Sequence, residues 1–335
     1  MSTIKDVSKL AGVSPATVSR VINNANGVSA KTKEKVKQAI AELDFYPNAQ
    51  ARALVKQSTN TIGVVMSELS DPFFAIMARS IEITAEKYNA NVLISTGSLN
   101  EEKERQAINS LQAQRCKAMV VNSKILSDEE LIDFAHKIPG FVLINKYIEA
   151  IQERCIWLDN QQGGFNMAQY ILEMGHSNVL VLSTKNKVYD ASRRLAGIQS
   201  AFTQAHKILP ANHIIYTSPD PQGGEKAIEQ ALANGIKFTA VLAYNDAVAV
   251  GAVAKLTEKG LSVPENVSVI GFDDVLLANY CSPPLTTVKY PIAVMSQKAT
   301  ELALTLSKNE GKVSQTINTY KYKPIIIKRS SVSWG

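Results

Sequence analysis

"TIKDVSKLAGVSPATVSRVINN", residues 3–24, decides how this chain is read. Thr3-Ile4-Lys5-Asp6 has the pattern of a capping box, in which Thr3 takes a free helical N–H and Asp6 reaches back to the start. Ile4, Val7 and Leu10, three apart, then put one apolar face on a first helix that runs to about Leu10. Ala11-Gly12-Val13 reads as a tight turn. Ser14 caps a second helix, and Pro15 takes its first position, where a missing N–H costs no hydrogen bond. Two short helices joined by a glycine-containing turn predict a helix-turn-helix unit. In such a unit the second helix lies in the DNA major groove and its N-terminal residues meet base edges.

Within that second helix Val18, Val21 and Ile22 are the inward positions, leaving Ala16, Thr17, Ser19, Arg20 and Asn23 outward. Arg20 can donate twice to a guanine, and Pro15 or Ala16 can touch a thymine methyl. Thr17, Ser19 and Asn23 have the right size for phosphate oxygens. A generic helical hairpin would look similar, so the pattern is weighed together with the charge distribution. Residues 1–60 carry nine Lys/Arg and four Asp/Glu, a net +5 of the chain's +6. The remaining 27 basic and 26 acidic residues nearly cancel. On charge alone a solvated, lysine-rich helix face is the favoured reading. Together with the helix-turn-helix pattern, the concentrated charge suggests a polyanionic partner, with nucleic acid the first candidate.

Ser29 opens a third helix, SAKTKEKVKQAIAELDF (29–45), with Val36, Ile40 and Leu43 as its apolar stripe; its lysines face several directions and are expected to be solvated. Pro47 ends this region. NAQARALVKQ (48–57) has helix-forming residues but few apolar groups, and alone a helix so short is marginal in water. It is therefore either a disordered linker or a helix that forms against a partner.

After the polar run KQSTN (56–60) strands and helices alternate. The strand candidates are 61–66, 91–95, 118–122, 141–145, 178–183, 213–216, 240–244 and 267–271, mostly separated by 10–15 residues of helical pattern. This alternation predicts parallel sheets covered by helices, and eight strands divide better into two similar lobes than into one open sheet. The expected organisation is a helix-turn-helix domain at 1–46, a hinge and linker at 47–60, and a two-lobed α/β domain at 61–335. Ligands of open α/β sheets sit beyond the carboxyl ends of the strands. The residues there are polar: Ser67, Asp71-Pro72-Phe73-Phe74, Asn122, Asn145, Asp159, Asn245-Asp246 and Asp273-Asp274, with Arg193-Arg194 preceding another helix. Carboxylates accept sugar hydroxyls, an arginine fork donates two bonds, amides do both, and aromatic rings suit the C–H faces of a pyranose. Taken singly, Asn245 or Asp273 could be a helix cap and the Phe pair could be core.

Other classes find little support. No apolar run is long enough to span a membrane, and no apolar segment with a cleavage site opens the chain. Three separated cysteines, Cys116, Cys155 and Cys281, are expected to be reduced and mostly buried, as in a cytoplasmic protein. The motifs of nucleophilic hydrolases, phosphate-binding loops, dinucleotide-binding folds and zinc peptidases are missing. Four scattered histidines lack metal-ligand spacing and are expected at the surface or in loops, and the pairs Gly163-Gly164 and Gly223-Gly224 are expected to be turn glycines. Neither catalysis, nor a cofactor, nor a metal is expected.

The stretch at 3–24, followed by "YPNAQARAL" (46–54), closely resembles the lactose-repressor family of bacterial transcription regulators, and the resemblance extends along the whole chain. It implies a cytoplasmic homodimeric repressor that binds a pseudo-palindromic double-stranded operator. It also implies an effector domain like a periplasmic sugar-binding protein, doubly wound in each lobe. DNA contacts are implied at Thr3 and in a hinge carrying Tyr46, Asn48, Ala51 and Leu54, with Leu54 wedged into a base step of the minor groove. Effector ligands are implied at Phe73, Phe74, Asn122, Asp159 (in L-D-N-x-x-G-G), Arg194 (in R-L-A-G), Tyr244, Asn245 (in Y-N-D) and Asp273 (in G-F-D-D). "SDPFFAIM", "EEKERQAI", "CIWLDN", "GFDDVLL" and "PPLTTVKYPI" are similar to the galactose-responsive branch of the family, which implies D-galactose as inducer. Pro15 departs from that branch, where a β-branched residue is typical. Another sugar, or a purine corepressor, is the alternative effector. The ending "IIIKRSSVSWG" lacks the leucine-heptad extension of tetrameric relatives.

Overall fold

A computed structural model describes residues 2–22, 26–45, 59–185, 188–312 and 320–335. The chain divides into two units, Met1–Thr59 and Asn60–Gly335. In the first unit α1 (Ile4–Ala11), α2 (Pro15–Ile22) and α3 (Ala30–Glu42) surround a small core of Val7, Ala11, Val18, Val21, Val36 and Ala39. The capping box forms: Asp6 N–H donates to Thr3 Oγ1 (3.3 Å), and Thr3 N–H donates to Asp6 Oδ2 (2.8 Å). Gly12 ends α1 in the left-handed region (φ 67°), where a side chain would be strained. Two of the three helices, α1 and α3, differ from the periodicity reading. Leu10 is 46% exposed, because α1 packs through Val7 and Ala11 instead, and Ala39 joins Val36 in the core while Ile40 and Leu43 are only half-buried. A three-helix core this small accepts alanine at its closest contacts and leaves larger side chains at the rim.

The second unit is a pair of α/β lobes. In chain order its elements are β1 (Thr59–Met66), α4 (Pro72–Lys87), β2 (Asn91–Thr96), α5 (Glu101–Ala113), β3 (Cys116–Val121), α6 (Asp128–Lys137), β4 (Phe141–Ile144) and β5 (Cys155–Leu158). There follow α7 (Asn160–Glu173), β6 (Val179–Thr184), α8 (Tyr189–Gln204), β7 (Ile214–Thr217), α9 (Pro221–Ala233), β8 (Ala240–Ala243), α10 (Asp246–Glu258) and β9 (Ser268–Asp273). The chain closes with α11 (Leu276–Tyr280), β10 (Thr286–Lys289), α12 (Ile292–Lys308), β11 (Tyr320–Tyr322) and β12 (Ile325–Ile327). One six-stranded sheet has the order β11-β5-β4-β3-β1-β2 and the other β12-β10-β9-β8-β6-β7. Thr61 pairs with Asn91 and Leu182 with Ala243 in parallel register, whereas β12 runs antiparallel to β10. The inner strands β4 and β8 are buried along their whole length, which is why they read as unbroken apolar runs; β2, at an edge, is largely exposed.

The backbone passes between the lobes three times, from β5 to α7, from β10 to α12 and from β11 to β12. Although it follows β10, α12 packs on α4, β3 and β4 of the first lobe. Strands β5, β10, β11 and β12 were not among the sequence-based candidates. Each has only three or four residues and takes its place from tertiary pairing.

Glycines expected to form turns instead let helices touch. A Cβ on Gly164 would collide with the Arg194 carbonyl, and one on Gly197 with the Gln161 carbonyl, so α7 and α8 meet backbone to backbone. Gly224 and Gly251 do the same for α9 and α10. His176 and His213 also differ from expectation. Both are buried, His176 between Thr239 Oγ1 and the Ser333 carbonyl and His213 on the Val179 carbonyl, because their rings join segments distant in sequence. Cys116 and Cys155 are buried thiols and Cys281 is half-buried; burial pushes Cys116 up to about 11 and Cys155 to about 12.

Candidate functional site

Residues at the carboxyl ends of β1, β4, β6, β8 and β9 line a cavity of about 260 Å³ between the lobes. Six of the expected effector residues are brought together there: Phe73, Phe74, Arg194, Tyr244, Asn245 and Asp273. Phe73 and Phe74 open α4, whose start is fixed by Asp71; its carboxylate accepts from the Phe73 N–H (2.8 Å) and Pro72 holds the first helical position. Both rings are buried. Phe73 stands edge-on to Phe74 (5.3 Å between centroids) and to Tyr290 (5.0 Å), so they serve core and cavity at once.

Arg194 is the most constrained group of the wall. Its Nε donates to Asn160 Oδ1 (2.9 Å), Nη1 to the Tyr244 carbonyl (2.6 Å) and Nη2 to Asp273 Oδ1 (3.4 Å). The guanidinium also lies 3.6 Å from the centroid of the Phe272 ring, a cation–π arrangement. Asn245 caps α10, accepting from the Val248 N–H (2.9 Å) and donating to the Pro219 carbonyl (3.0 Å). It is thus a helix cap and a lining residue together. Asp273 has φ 113°, Asp274 φ 58° and Asn145 φ 69°, left-handed conformations that non-glycine residues rarely adopt; two of these three residues line the cavity.

The electrostatics follow from burial and pairing. Burial pushes the Asp273 carboxyl well above the usual carboxylate range against the pull of Arg194, and it also raises Asp71. Burial would raise Asp190 too, but the charges of Lys124 and Arg194, with hydrogen bonds from Lys124 and Tyr244, outweigh it and hold that carboxyl at about 2. The Tyr244 and Tyr290 phenols are pushed far up by burial and remain neutral donors at physiological pH. Tyr244 donates to Asp190 Oδ2 (2.9 Å) and Tyr290 donates to Asn145 Oδ1.

Two expected residues lie elsewhere. Asn122 is not in the lining; it is buried beside β1, with neither side-chain polar atom hydrogen-bonded among the described residues. Asp159 caps α7 through the Gln162 N–H and pairs with Lys321 (2.6 Å) at a separate groove that Trp157, Tyr189 and Arg193 also line. Several lining residues were missed, and two of them pair across the cleft. Asp190 precedes Arg194 by four positions on α8, a spacing that the sequence did display. Lys124 follows β3 and meets Asp190 across the cleft at 2.8 Å, a contact with no local signal.

In the first unit Pro15, Ala16 and Arg20 are exposed on α2, while Thr17 and Ser19 are half-buried. The Thr17 and Ser14 hydroxyls lie 2.9 Å apart and Ser14 accepts from the Thr17 N–H, so Thr17 is engaged in the helix start. Thr3 is likewise engaged in its capping box. Asn23, Tyr46, Asn48, Ala51, Leu54 and the hinge lie outside the described residues. Among the described residues no helix is long and apolar enough to cross a membrane, and no cluster of His, Cys, Asp or Glu is placed to hold a metal ion.

Comparison with known proteins adds an independent line. Residues 3–48 match the family of bacterial regulatory proteins, lacI family, and residues 168–332 match the periplasmic binding protein-like domain. The HTH-type transcriptional regulator GalR of Salmonella typhimurium is 42% identical over 335 residues, covering 99% of this chain and 96% of that protein. The regulator GalS of the same species is 41% identical over 334 residues, covering 100% and 97%. Among solved structures, the lac repressor dimer bound to operator and the anti-inducer ONPF superposes with a TM-score of 0.87 at 29% identity, covering 99% of both chains.

Proposed function

The chain belongs to the lacI family of bacterial regulatory proteins, and on that premise we propose that it is a dimeric, sugar-responsive transcriptional repressor whose inducer is D-galactose. Relatives of this family are regulators, and the chain is read as a regulator of the cytoplasm rather than an enzyme. The observation that carries the effector reading is the cavity itself. Five acidic side chains (Glu68, Asp71, Asp190, Asp220 and Asp273) line it against two cations, Lys124 and Arg194, with burial favouring the neutral form of Asp71 and Asp273. Such a surplus disfavours phosphorylated or acidic ligands and suits a neutral polyol that donates many hydroxyls. Phe73 and Phe74 supply the apolar face that a pyranose also presents.

Pro15, Ala16 and Arg20 on α2 meet base edges, Thr17 and Ser19 orient the helix on the backbone, and the segment at 47–60 joins this unit to the lobes. A two-fold dimer places two such helices on a pseudo-palindromic site. Sugar in the cleft favours a lobe arrangement with lower operator affinity, and only its differential affinity for the two arrangements can do so. The coupling expected is roughly 5–150-fold. The test is fluorescence anisotropy of a labelled pseudo-palindromic site from the protein's own promoter region, titrated with D-galactose at fixed salt. Release of the DNA is expected. Tight binding indifferent to galactose overturns the effector assignment and turns attention to other sugars and purines.

A further inference from the structure

We propose that Glu104 is a positioning residue for the effector site: it fixes the turn after β3 so that Lys124 reaches Asp190, and this pair links the two lobes electrically. The proposal rests on the effector reading above. Glu104 is on α5, 1% exposed and outside the cavity lining. Among the described residues it has no cationic partner. A buried carboxylate in that situation is costly unless its lone pairs are filled. They are filled by one turn of chain: Ser123 Oγ–H donates at 2.6 Å, and the N–H groups of Lys124, Ile125 and Leu126 donate at 3.1, 3.2 and 3.4 Å. The far end of the turn is held as well, by Lys146 Nζ on the Leu126 carbonyl (3.0 Å).

The consequence is read at Lys124. Its ammonium lies 2.8 Å from Asp190 Oδ2, with side-chain exposures of 10% and 3%. Lys124 belongs to the first lobe and Asp190, on α8, to the second. Any change in lobe arrangement therefore alters the separation of two buried opposite charges, where attraction is strong and an unpaired charge is disfavoured. Asp190 is also a cavity residue: Oδ2 is shared by Lys124 and Tyr244, while the buried Oδ1 has no partner among the described residues. A sugar hydroxyl that donates to Oδ1 acts on the same carboxylate that joins the lobes. Occupancy and lobe arrangement then become one equilibrium.

The test uses the full-length dimer as wild type, Glu104→Gln, Lys124→Met and the double variant. Ser123→Ala, which removes a single donor, stands in for Glu104→Gln should that variant not fold. The first readout is amide hydrogen exchange, without sugar, in the first hydrogen-bonded amides of α8 (192–197). Exchange about tenfold faster is expected in each single variant, with no further gain in the double variant. Exchange at the wild-type level in Glu104→Gln, or effects that simply add, overturns the proposal, because a purely structural Glu104 would not act through Lys124. The second readout is the ratio of operator affinities without and with D-galactose, expected to fall alike in both single variants. If wild type itself ignores galactose, the effector reading fails and the exchange cycle alone decides the role of Glu104.

Discussion

Arg194 Nη2 stands 3.4 Å from Asp273 Oδ1, although the two residues are 79 positions apart and belong to α8 and the end of β9. The contact closes one side of the cavity. It is long for a charge-assisted bond, and Arg194 is held more firmly by Asn160 and the Tyr244 carbonyl than by its acidic partner. The guanidinium is thus a fixed planar wall, and Asp273 keeps acceptor capacity for a ligand.

Replacing that wall tests its role. Arg194→Lys keeps the charge but cannot span Asn160, the Tyr244 carbonyl and the Phe272 face together. Galactose affinity should fall about 100-fold, in line with about 1.5–3 kcal/mol for a hydrogen bond to a charged group. Operator affinity without sugar should be nearly unchanged, giving a repressor that stays on DNA. Calorimetry with galactose checks the first part; wild-type affinity would remove Arg194 from the site.

On the DNA side, Arg20 is the exposed cation of α2. Arg20→Ala should weaken the specific operator by about 1–3 kcal/mol, the usual cost of a lost bidentate base contact. Its galactose affinity should not move. Anisotropy on matched and scrambled sites at one salt concentration separates base reading from phosphate binding, since an equal loss on both would assign Arg20 to the backbone.

Gly164→Ala tests the helix contact behind the site. The added Cβ would meet the Arg194 carbonyl, so α7 and α8 must part or the backbone must shift. A loss of more than about 3 kcal/mol in stability is expected, together with weaker galactose binding. Denaturant unfolding gives the first quantity. A variant as stable as wild type would mean that the helices can slide apart at little cost.

A pH dependence follows from Asp246. Burial pushes its carboxyl to about 7, although Thr287 Oγ1 (2.5 Å) and the Val275 N–H (2.9 Å) favour the charged form. The folded state therefore binds this proton more tightly than the unfolded chain, whose value is near 4. The associated stability is fully present below about pH 4 and is lost as pH rises through about 7, a change on the order of a few kcal/mol. Asp273, also raised by burial, acts with the same sign. Asp190, held at about 2, acts oppositely, but only below its unfolded value. Unfolding without ligand should show lower stability at pH 7.5 than at pH 5, with a shallower slope in Asp246→Asn. A flat wild-type profile would mean that Asp246 is ionised throughout.

Much of the architecture is legible in the sequence. Capping and helix periodicity act within four residues, so Thr3, Asp6, Gly12, Ser14 and Pro15 announced α1 and α2 directly. The fully buried strands β4 and β8 showed themselves as apolar runs, and strand-end polarity pointed to Asn245 and Asp273 at the cavity, while Arg194, inside α8, was marked by its R-L-A-G motif. The failures share a cause. Leu10 fitted a helical stripe but is exposed, since the stripe does not say which edge a partner helix will cover. Gly164 looked like a turn residue because helix-to-helix contact leaves no mark in its own segment.

By itself, then, the sequence determined the local elements, the division into a basic helical unit and an alternating α/β unit, and the polar character of the strand ends. These properties depend on residues a few positions apart. Only the tertiary structure decided that Asp159 lies in a separate groove, that Asn122 is buried outside the cavity lining, and that Lys124 meets Asp190. The last pair is 66 positions apart on different lobes. Such a contact exists only because three chain crossings bring the two lobes face to face, and a spacing within one segment cannot encode that placement.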